Sequence, residues 1–249
     1  VPDGASFSAY FIDVGQADCI LLTCGGENML IDAGNNADGP PVADYLKEQG
    51  ISSIDVLIGT HPHEDHIGGM DDIIRAFEVE TFILPDVITT TKTFTSVLDA
   101  AEEKNLEIIV AERGMSWNLG DAGCEILSCD AIHEAELNEW SVVVKMVFGD
   151  VSFLFTGDME AANERFLLEQ NVPLSVDILK SPHHGSDTSS TAAFVQAAAP
   201  KTVVISVGRE NDYGHPDSRV LARYEKIGAE IFRTDRQGTV VVESNGKTY

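Results

Sequence analysis

Thr60-His61-Pro62-His63-Glu64-Asp65-His66-Ile67-Gly68-Gly69 decides the reading of this chain. Three histidines and one aspartate fall within six residues, directly after the short apolar run at 55–59. Imidazole and carboxylate donors together suit zinc, manganese or iron. His61 and His63 stand two apart in an extended segment and converge only where the chain bends, a bend that Pro62 helps to fix. Asp65 and His66 are adjacent and diverge in a regular strand. They serve a second ion where the chain turns into the helix expected to begin near Gly68. The spacing therefore points to two neighbouring metal sites built by one loop. The alternative is a polar loop with surface histidines. A dense cluster at a strand end weighs against it, because a buried set of histidines without ligands is costly.

Two later segments extend the pattern. Phe153-Leu154-Phe155-Thr156-Gly157-Asp158 is an apolar strand ending in a carboxylate, and a carboxylate has an oxygen for each of two cations. Alone, Thr-Gly-Asp reads as a turn with a helix cap. Beside the histidine cluster the metal reading prevails. Asp177-Ile178-Leu179-Lys180-Ser181-Pro182-His183-His184-Gly185-Ser186 repeats the order of strand, bend and paired histidines.

With these stretches the chain resembles the metallo-β-lactamase superfamily of metal-dependent hydrolases, over nearly its whole length. The resemblance implies an α/β fold, a four-layer αββα sandwich with two metal ions at one edge. It implies His61 and His63 on the first ion, Asp65 and His66 on the second, and Asp158 bridging them. Matching Pro182-His183-His184-Gly185 to the family pattern favours His184 as the last ligand, with His183 lining the site. Asp32, in Leu30-Ile31-Asp32-Ala33-Gly34, matches an early aspartate that orients ligands. Many members carry a further histidine between the first cluster and the bridging aspartate. The one candidate here is His133, in the polar loop 130–139, where a solvated side chain is the plainer reading. Without it the first ion keeps His61, His63 and Asp158 and has room for water or substrate oxygens, which suits phosphate chemistry.

Phe11-Ile12-Asp13-Val14-Gly15-Gln16-Ala17-Asp18, Asn138-Glu139-Trp140-Ser141-Val142, the segment 180–186 and Asp212-Tyr213-Gly214-His215-Pro216 resemble one branch of that superfamily. It contains the hydrolase domain of the DNA-uptake protein ComEC, stand-alone relatives and phosphodiesterases of the phosphorylcholine esterase type. The branch usually has glycine where Ala17 stands. His215 is either a turn histidine stacked on Pro216 or a phosphate ligand and general acid, and the branch favours the second. Asp65, His183 and His215 are thus the expected catalytic residues. Lys180 is read as a phosphate contact or an exposed cation at a strand end, and Ser186 as a phosphate contact or a helix cap. Turn chemistry accounts for Asp13 and Asp18, and the family pattern hints that one of them faces the site. The branch places Asn138 across the cleft.

Length and charge bound the rest. The chain has 249 residues, enough for one large hydrolase domain over 1–249. Hydrophobic residues make up 43% and charged residues 23%, a globular balance. The net charge of −25 repels nucleic-acid backbones and argues against a nonspecific DNA coat. It leaves a nuclease open, because bound divalent cations invert the field locally. No stretch approaches a membrane span. Cys19, Cys24, Cys124 and Cys129 do not make a disulfide scaffold, and Cys19, in an apolar run, reads as a buried thiol. The start Val1-Pro2-Asp3-Gly4, without Met or a signal-type segment, fits a trimmed, matured or partial chain. A secreted or cell-surface bacterial setting is favoured over the cytoplasm.

Strands are expected at 6–12, 19–23, 28–31, 55–59, 81–84, 142–148, 151–155, 176–179, 202–207, 230–233 and 239–243. Helices are expected at 42–49, 70–77, 93–104, 159–170, 191–198 and 218–227. Two halves, each sheet-rich and then helical, imply two sheets face to face with helices outside. The expected activity is hydrolysis of a small or cell-surface phosphodiester by water activated between two divalent ions, zinc before manganese. DNA is a substrate that the charge disfavours. Lactam, lactone or thioester hydrolysis, and a metal-stabilised binding domain without turnover, are the rivals.

Overall fold

Phe7, Ala9 and Phe11 are buried while Ser8 and Tyr10 between them are half-buried, the two-residue period of a strand with unequal faces. The structure is a computed structural model that describes residues 6–133 and 135–249. Six strands follow one another in chain order across the first sheet: β1 (Phe7–Phe11), β2 (Ile20–Cys24), β3 (Glu27–Ile31), β4 (Ser53–Ile58), β5 (Glu78–Leu84) and β6 (Ile108–Val110). The second sheet likewise runs β7 (Ser116–Leu119), β8 (Ala122–Ser128), β9 (Val143–Phe148), β10 (Val151–Phe155), β11 (Ile178–Lys180), β12 (Thr202–Ile205) and β13 (Glu230–Arg233). The last strand, β14 (Val240–Ser244), crosses back and pairs antiparallel with β1. Each sheet begins antiparallel and becomes parallel, from β3 to β6 in one and from β10 to β13 in the other.

The two sheets face each other across an apolar layer. Phe7 of β1 meets Phe153 of β10 at 4.8 Å between ring centroids, and Phe11 meets Phe155 at 6.1 Å. Burying each such ring contributes about 1.5–3 kcal/mol. Helices α1 (Gly39–Glu48), α2 (Glu64–Ile67), α3 (Met70–Ala76) and α4 (Lys92–Lys104) supply Val42, Leu46, Ile67, Ile73 and Val97 to a second core outside the first sheet. Helices α5 (Ala161–Glu169), α6 (Ala192–Ala198) and α7 (Ser218–Lys226) bring Leu167, Phe194 and Val220 to a third core outside the second sheet. A short α8 (Thr234–Gln237) follows β13. This is the expected four-layer αββα sandwich.

The structure departs from the sequence reading at α8, where no helix was expected, and in two further places. Strands β6, β7 and β8 fill residues 105–130, where no element was expected. Their outward positions carry Ser116, Asn118, Gly123 and Glu125, residues with little strand preference. Helix α2 begins at Glu64, four residues before the expected start near Gly68, so Asp65 and His66 lie on a first helical turn. All four cysteines are buried free thiols. Burial raises the Cys124 and Cys129 thiols to about 12, which leaves them unreactive. Among the described residues no helix is long and apolar enough to cross a membrane.

Candidate metal centre

Parallel strands end along one edge of the sandwich, and each end delivers a polar side chain there. Asp32 follows β3, Thr60 to His66 follow β4, Asp158 follows β10, and His183 and His184 follow β11. Ligand sites of open α/β sheets sit at such carboxyl ends. His63 is extended (φ −78°, ψ 150°) and caps α2, so the chain bends between the two histidines of the extended segment and the Asp65-His66 pair. Gly68 and Gly69 let that bend press against the loop after β3. A Cβ on Gly68 would lie 2.3 Å from the Asn35 carbonyl carbon, and one on Gly69 2.4 Å from the Ala33 oxygen.

The histidine ring orientations follow from their outer partners. Thr60 donates its N–H and hydroxyl to Asp32, at 2.8 and 2.7 Å, and His66 Nδ1 donates to Asp32 Oδ2 at 2.7 Å. The Thr60 hydroxyl proton being so used, its oxygen accepts from His61 Nδ1 at 3.2 Å. His184 Nδ1 donates to the Ser206 carbonyl at 3.0 Å. In all three rings Nδ1 carries a proton, which leaves Nε2 to serve as the ligand atom. Asp32 does this from a left-handed backbone (φ 60°), and His183 and His184 share that region (φ 48° and 51°). Backbone strain of this kind persists where the surroundings hold it, as at functional sites.

The Nε2 atoms converge. His66 Nε2 lies 3.3 Å from Asp158 Oδ1 and 3.9 Å from Asp65 Oδ2. His184 Nε2 lies 3.3 Å from Asp65 Oδ2 and 3.5 Å from Asp158 Oδ2. One donor atom from each of these four residues falls within 4.8 Å of the other three. Beside them His61 Nε2 faces His63 Nδ1 at 3.0 Å. His66 Nε2, His184 Nε2 and Asp158 Oδ1 are buried and have no hydrogen-bond partner. Buried polar atoms without partners are costly. Four aimed carboxylate and imidazole donors therefore fit a divalent cation, and the His61–His63 pair beside them offers two more nitrogens.

Charge balance agrees. Burial pushes the Asp158 carboxyl up, yet His184 and His66 hold it well below the usual carboxylate range. Burial likewise opposes the charged form of His66, and Asp158, Asp32 and Asp65 nonetheless raise it well above an ordinary imidazole. His184 is raised by Asp158 and Asp18 against its own burial. Burial and the neighbouring His66 lower His61, which keeps its ring neutral.

A cleft of about 300 Å³ opens over these groups, and Asp65, Asn138, His183, Tyr213 and His215 line it. His183 Nε2 is 3.6 Å from Asp158 Oδ2, and its Nδ1 is 3.3 Å from Glu160 Oε1. His215 meets His183 edge to face at 5.8 Å and stacks on the mostly exposed Tyr213. Burial, then His183 and His184, lower the His215 pKa. A larger groove, about 880 Å³, lies beside β8 and β9 against Trp117 and Lys145 and contains none of these histidines.

The structure places the remaining expected positions as follows. Lys180 is neither an exposed cation nor a cleft residue: it is fully buried, ion-paired with Asp18 and 3.9 Å from Asp158 Oδ1. Asp18 is more than a turn residue, because it is buried between Lys180 and His184 Nδ1, the latter at 3.4 Å. Asp13 does accept from Gly15 N at 3.2 Å, a local turn. Ser186 accepts from Thr188 N at 3.3 Å and stays outside the cleft lining. His133 is exposed, pairs with Glu139 at 2.8 Å and does not line the cleft. Glu160, which no motif marked, and Ser141, which lies in the stretch 138–142 but was given no role, hold the site's edges. Ser141 Oγ accepts from Asp158 N at 3.0 Å and lies 3.4 Å from His61 Nδ1. Glu160 stands two residues after Asp158, a proximity that a closer reading of that turn could have used.

The family model described as "Metallo-beta-lactamase superfamily" matches residues 12–209. The chain belongs to the metallo-beta-lactamase superfamily. It is 31% identical over 247 residues to ComE operon protein 3 of Bacillus subtilis, covering 92% of this chain and 32% of that protein. Recombination protein 2 of Haemophilus influenzae is 28% identical, over 93% of this chain and 28% of its own length. Competence protein ComA of Neisseria gonorrhoeae is 26% identical, over 92% and 31%. The chain thus spans about a third of the length of these superfamily relatives, and their names agree with the competence-type branch. Among solved structures, the diiron β-hydroxylase CmlA from Streptomyces venezuelae superposes with a TM-score of 0.64 at 16% identity, over 98% of this chain and 55% of that one. The metallo-β-lactamase-fold protein YhfI from Bacillus subtilis gives 0.63 at 13% identity, over 96% and 100%. Both share the superfamily fold.

Proposed function

We propose that this member of the superfamily is a dinuclear metal-dependent phosphodiesterase. His61, His63 and Asp158 would hold the first ion, and Asp65, His66, His184 and Asp158 the second. When bound, two such ions supply positive charge for phosphoryl oxygens and make a water acidic enough to ionise near neutrality. Zinc suits the imidazoles and manganese the carboxylates.

The observation that carries the reading is the convergence of imidazole nitrogens on the buried Asp158 carboxylate, at the floor of an open cleft. Asp32, Thr60 and Ser206 fix the rings before anything binds, so no reorganisation is needed at the moment of reaction. At the mouth, the lowered pKa keeps His215 neutral near pH 7. A neutral imidazole has one N–H to donate to a phosphoryl or leaving oxygen. Glu160 holds His183 over the same opening. A phosphodiester, with two free oxygens and an oxygen leaving group, uses both histidines.

DNA cleavage is the second reading. The names of the competence and recombination relatives favour it, and the charge of −25 opposes it for long polyanions. Protein loaded with zinc or with manganese is to be assayed on bis(p-nitrophenyl) phosphate, on single-stranded DNA and on nitrocefin. Turnover of the diester is expected, with a loss on the order of 10³-fold in Asp158→Ala at unchanged circular dichroism. A fully active Asp158→Ala protein, or turnover of nitrocefin alone, contradicts the proposal.

A further inference from the structure

Strands β6 and β7 are the outer strands of their sheets on one flank of the sandwich, and among the described residues neither has a second neighbour. A slot of about 450 Å³ opens there, and it shares no residue with the cleft over the histidines. We propose that this flank binds a partner protein through a basic, apolar segment that adds as a strand to β6. The inference depends on neither the metal reading nor the substrate.

The backbone of β6 is open to pairing. Ala111 N donates to Leu84 O at 2.8 Å, so Ile109, two residues earlier, also turns its backbone groups toward β5. The N–H and C=O of Ile108 and Val110 then face outward, the unpaired row of an edge strand. Natural edges are commonly guarded by charge or proline. The sequence of β6 is Ile108-Ile109-Val110, with Ile109 39% and Val110 46% exposed.

The slot sets what an entering strand must carry. Ile83, its cross-strand partner Ile109, Met115 and Trp117 form apolar walls. Trp117 Nε1 is buried and has no hydrogen-bond partner, a donor that a carbonyl of an incoming chain would satisfy. Glu27, Asp55 and Glu80 line the same slot. Gly120 N holds Glu27 at 2.8 Å and Asn28 N holds Asp55 at 2.7 Å, while Glu80 is exposed. Among the described residues none of the three carboxylates is ion-paired. A second copy of this chain would bring the same carboxylates against them, on a molecule of net charge −25. A segment in which apolar side chains alternate with lysine or arginine meets both features: the apolar groups fill the slot and the cations meet the carboxylates.

Calorimetry and hydrogen exchange on the intact protein test this. The probe is the peptide Lys-Val-Lys-Ile-Lys-Val, capped at both ends, about the length of a typical strand. Saturable binding is expected, about tenfold or more tighter than that of Glu-Val-Glu-Ile-Glu-Val. The amides of Ile108 and Val110 should gain protection, because they donate to the new ladder. Glu80→Lys, at an exposed position, should weaken binding about fivefold or more while the protein stays folded. The lysine peptide N-methylated throughout, which cannot donate to the ladder, should bind no better than the glutamate peptide. No binding, equal binding of the glutamate peptide, an unchanged affinity in Glu80→Lys or unchanged exchange at 108–110 overturns the inference. So does undiminished binding of the N-methylated peptide, or of octylammonium, which would make the slot a site for small cations. A concentration-dependent dimer of the protein alone, with the same amides protected, would make a second copy the occupant and overturns it as well.

Discussion

His66 and His184 are buried among carboxylates that raise their pKa values above the ordinary imidazole value of 6.5. Burial works against that charge, and Asp158 with Asp32 or Asp18 outweighs it. Both rings are therefore biased toward holding a second proton, on Nε2. An ion needs that same nitrogen, so binding must expel the protons. The sign is fixed: apparent affinity falls as pH drops below the raised pKa values and grows as pH rises through them. Calorimetry at about pH 7 in two buffers of different ionisation enthalpy should show net proton release on loading. Release of none would mean that the rings are already neutral. At this scale the sequence shows the ligand types and their spacing, because metal chemistry restricts both. It does not show Lys180 meeting Asp18, or His184 meeting Ser206. Those contacts join distant strand ends, and nothing local in the sequence records them.

Helix α5 shows how an element holds a site that it does not itself form. Asn163 Nδ2 donates to the Asp130 and Glu139 carbonyls at 3.2 and 2.9 Å and pins the loop that carries Asn138. The next residue, the buried Glu164, accepts from Ser190 N and from Thr191 N, the latter at 2.8 Å, and pins the loop that follows His184. Glu164→Ala leaves two N–H groups without partners and should cost about 2–4 kcal/mol of stability. Urea denaturation of the metal-free protein checks this, and a loss under about 0.5 kcal/mol, the usual surface value, would show that water replaces the carboxylate. Elements were legible where local chemistry and packing agree. Gly149-Asp150 signals a hairpin because apolar β9 and β10 flank it. Gly120-Asp121 carries the same turn dipeptide between β7 and β8 and passes unread, since Ser116, Asn118, Gly123 and Glu125 dilute both strands. The start of α2 was misplaced for a related reason. The sequence offers Gly68-Gly69 as a break, whereas the structure uses both glycines for close approach to the β3 loop.

Over the whole molecule the field is negative, and many of its few cations are already engaged. Arg75 pairs with Asp71 and Glu103, Arg219 with Asp187 and Asp217, Arg233 with Asp235, and Lys201 with Asp177. Lys180 is buried. A chain of net charge −25 with cations paired in this way repels an approaching polyanion, and in the proposed reading bound metal would be what draws the phosphates in. Salt then acts in the sense opposite to that of a basic nucleic-acid binder. Counterion release makes affinity fall with salt where a protein neutralises phosphates. Here repulsion between two anions dominates, and salt screens it over about 10 Å at 0.1 M. With metal saturating, raising sodium chloride from about 20 to about 200 mM should increase kcat/KM on a single-stranded oligonucleotide several-fold. The small diester bis(p-nitrophenyl) phosphate carries one charge, so its kcat/KM should change by less than about twofold over the same range. A steep fall for the oligonucleotide would reveal a basic track that overrides the net field. The charge argument against long nucleic acid would then give way to the DNA reading.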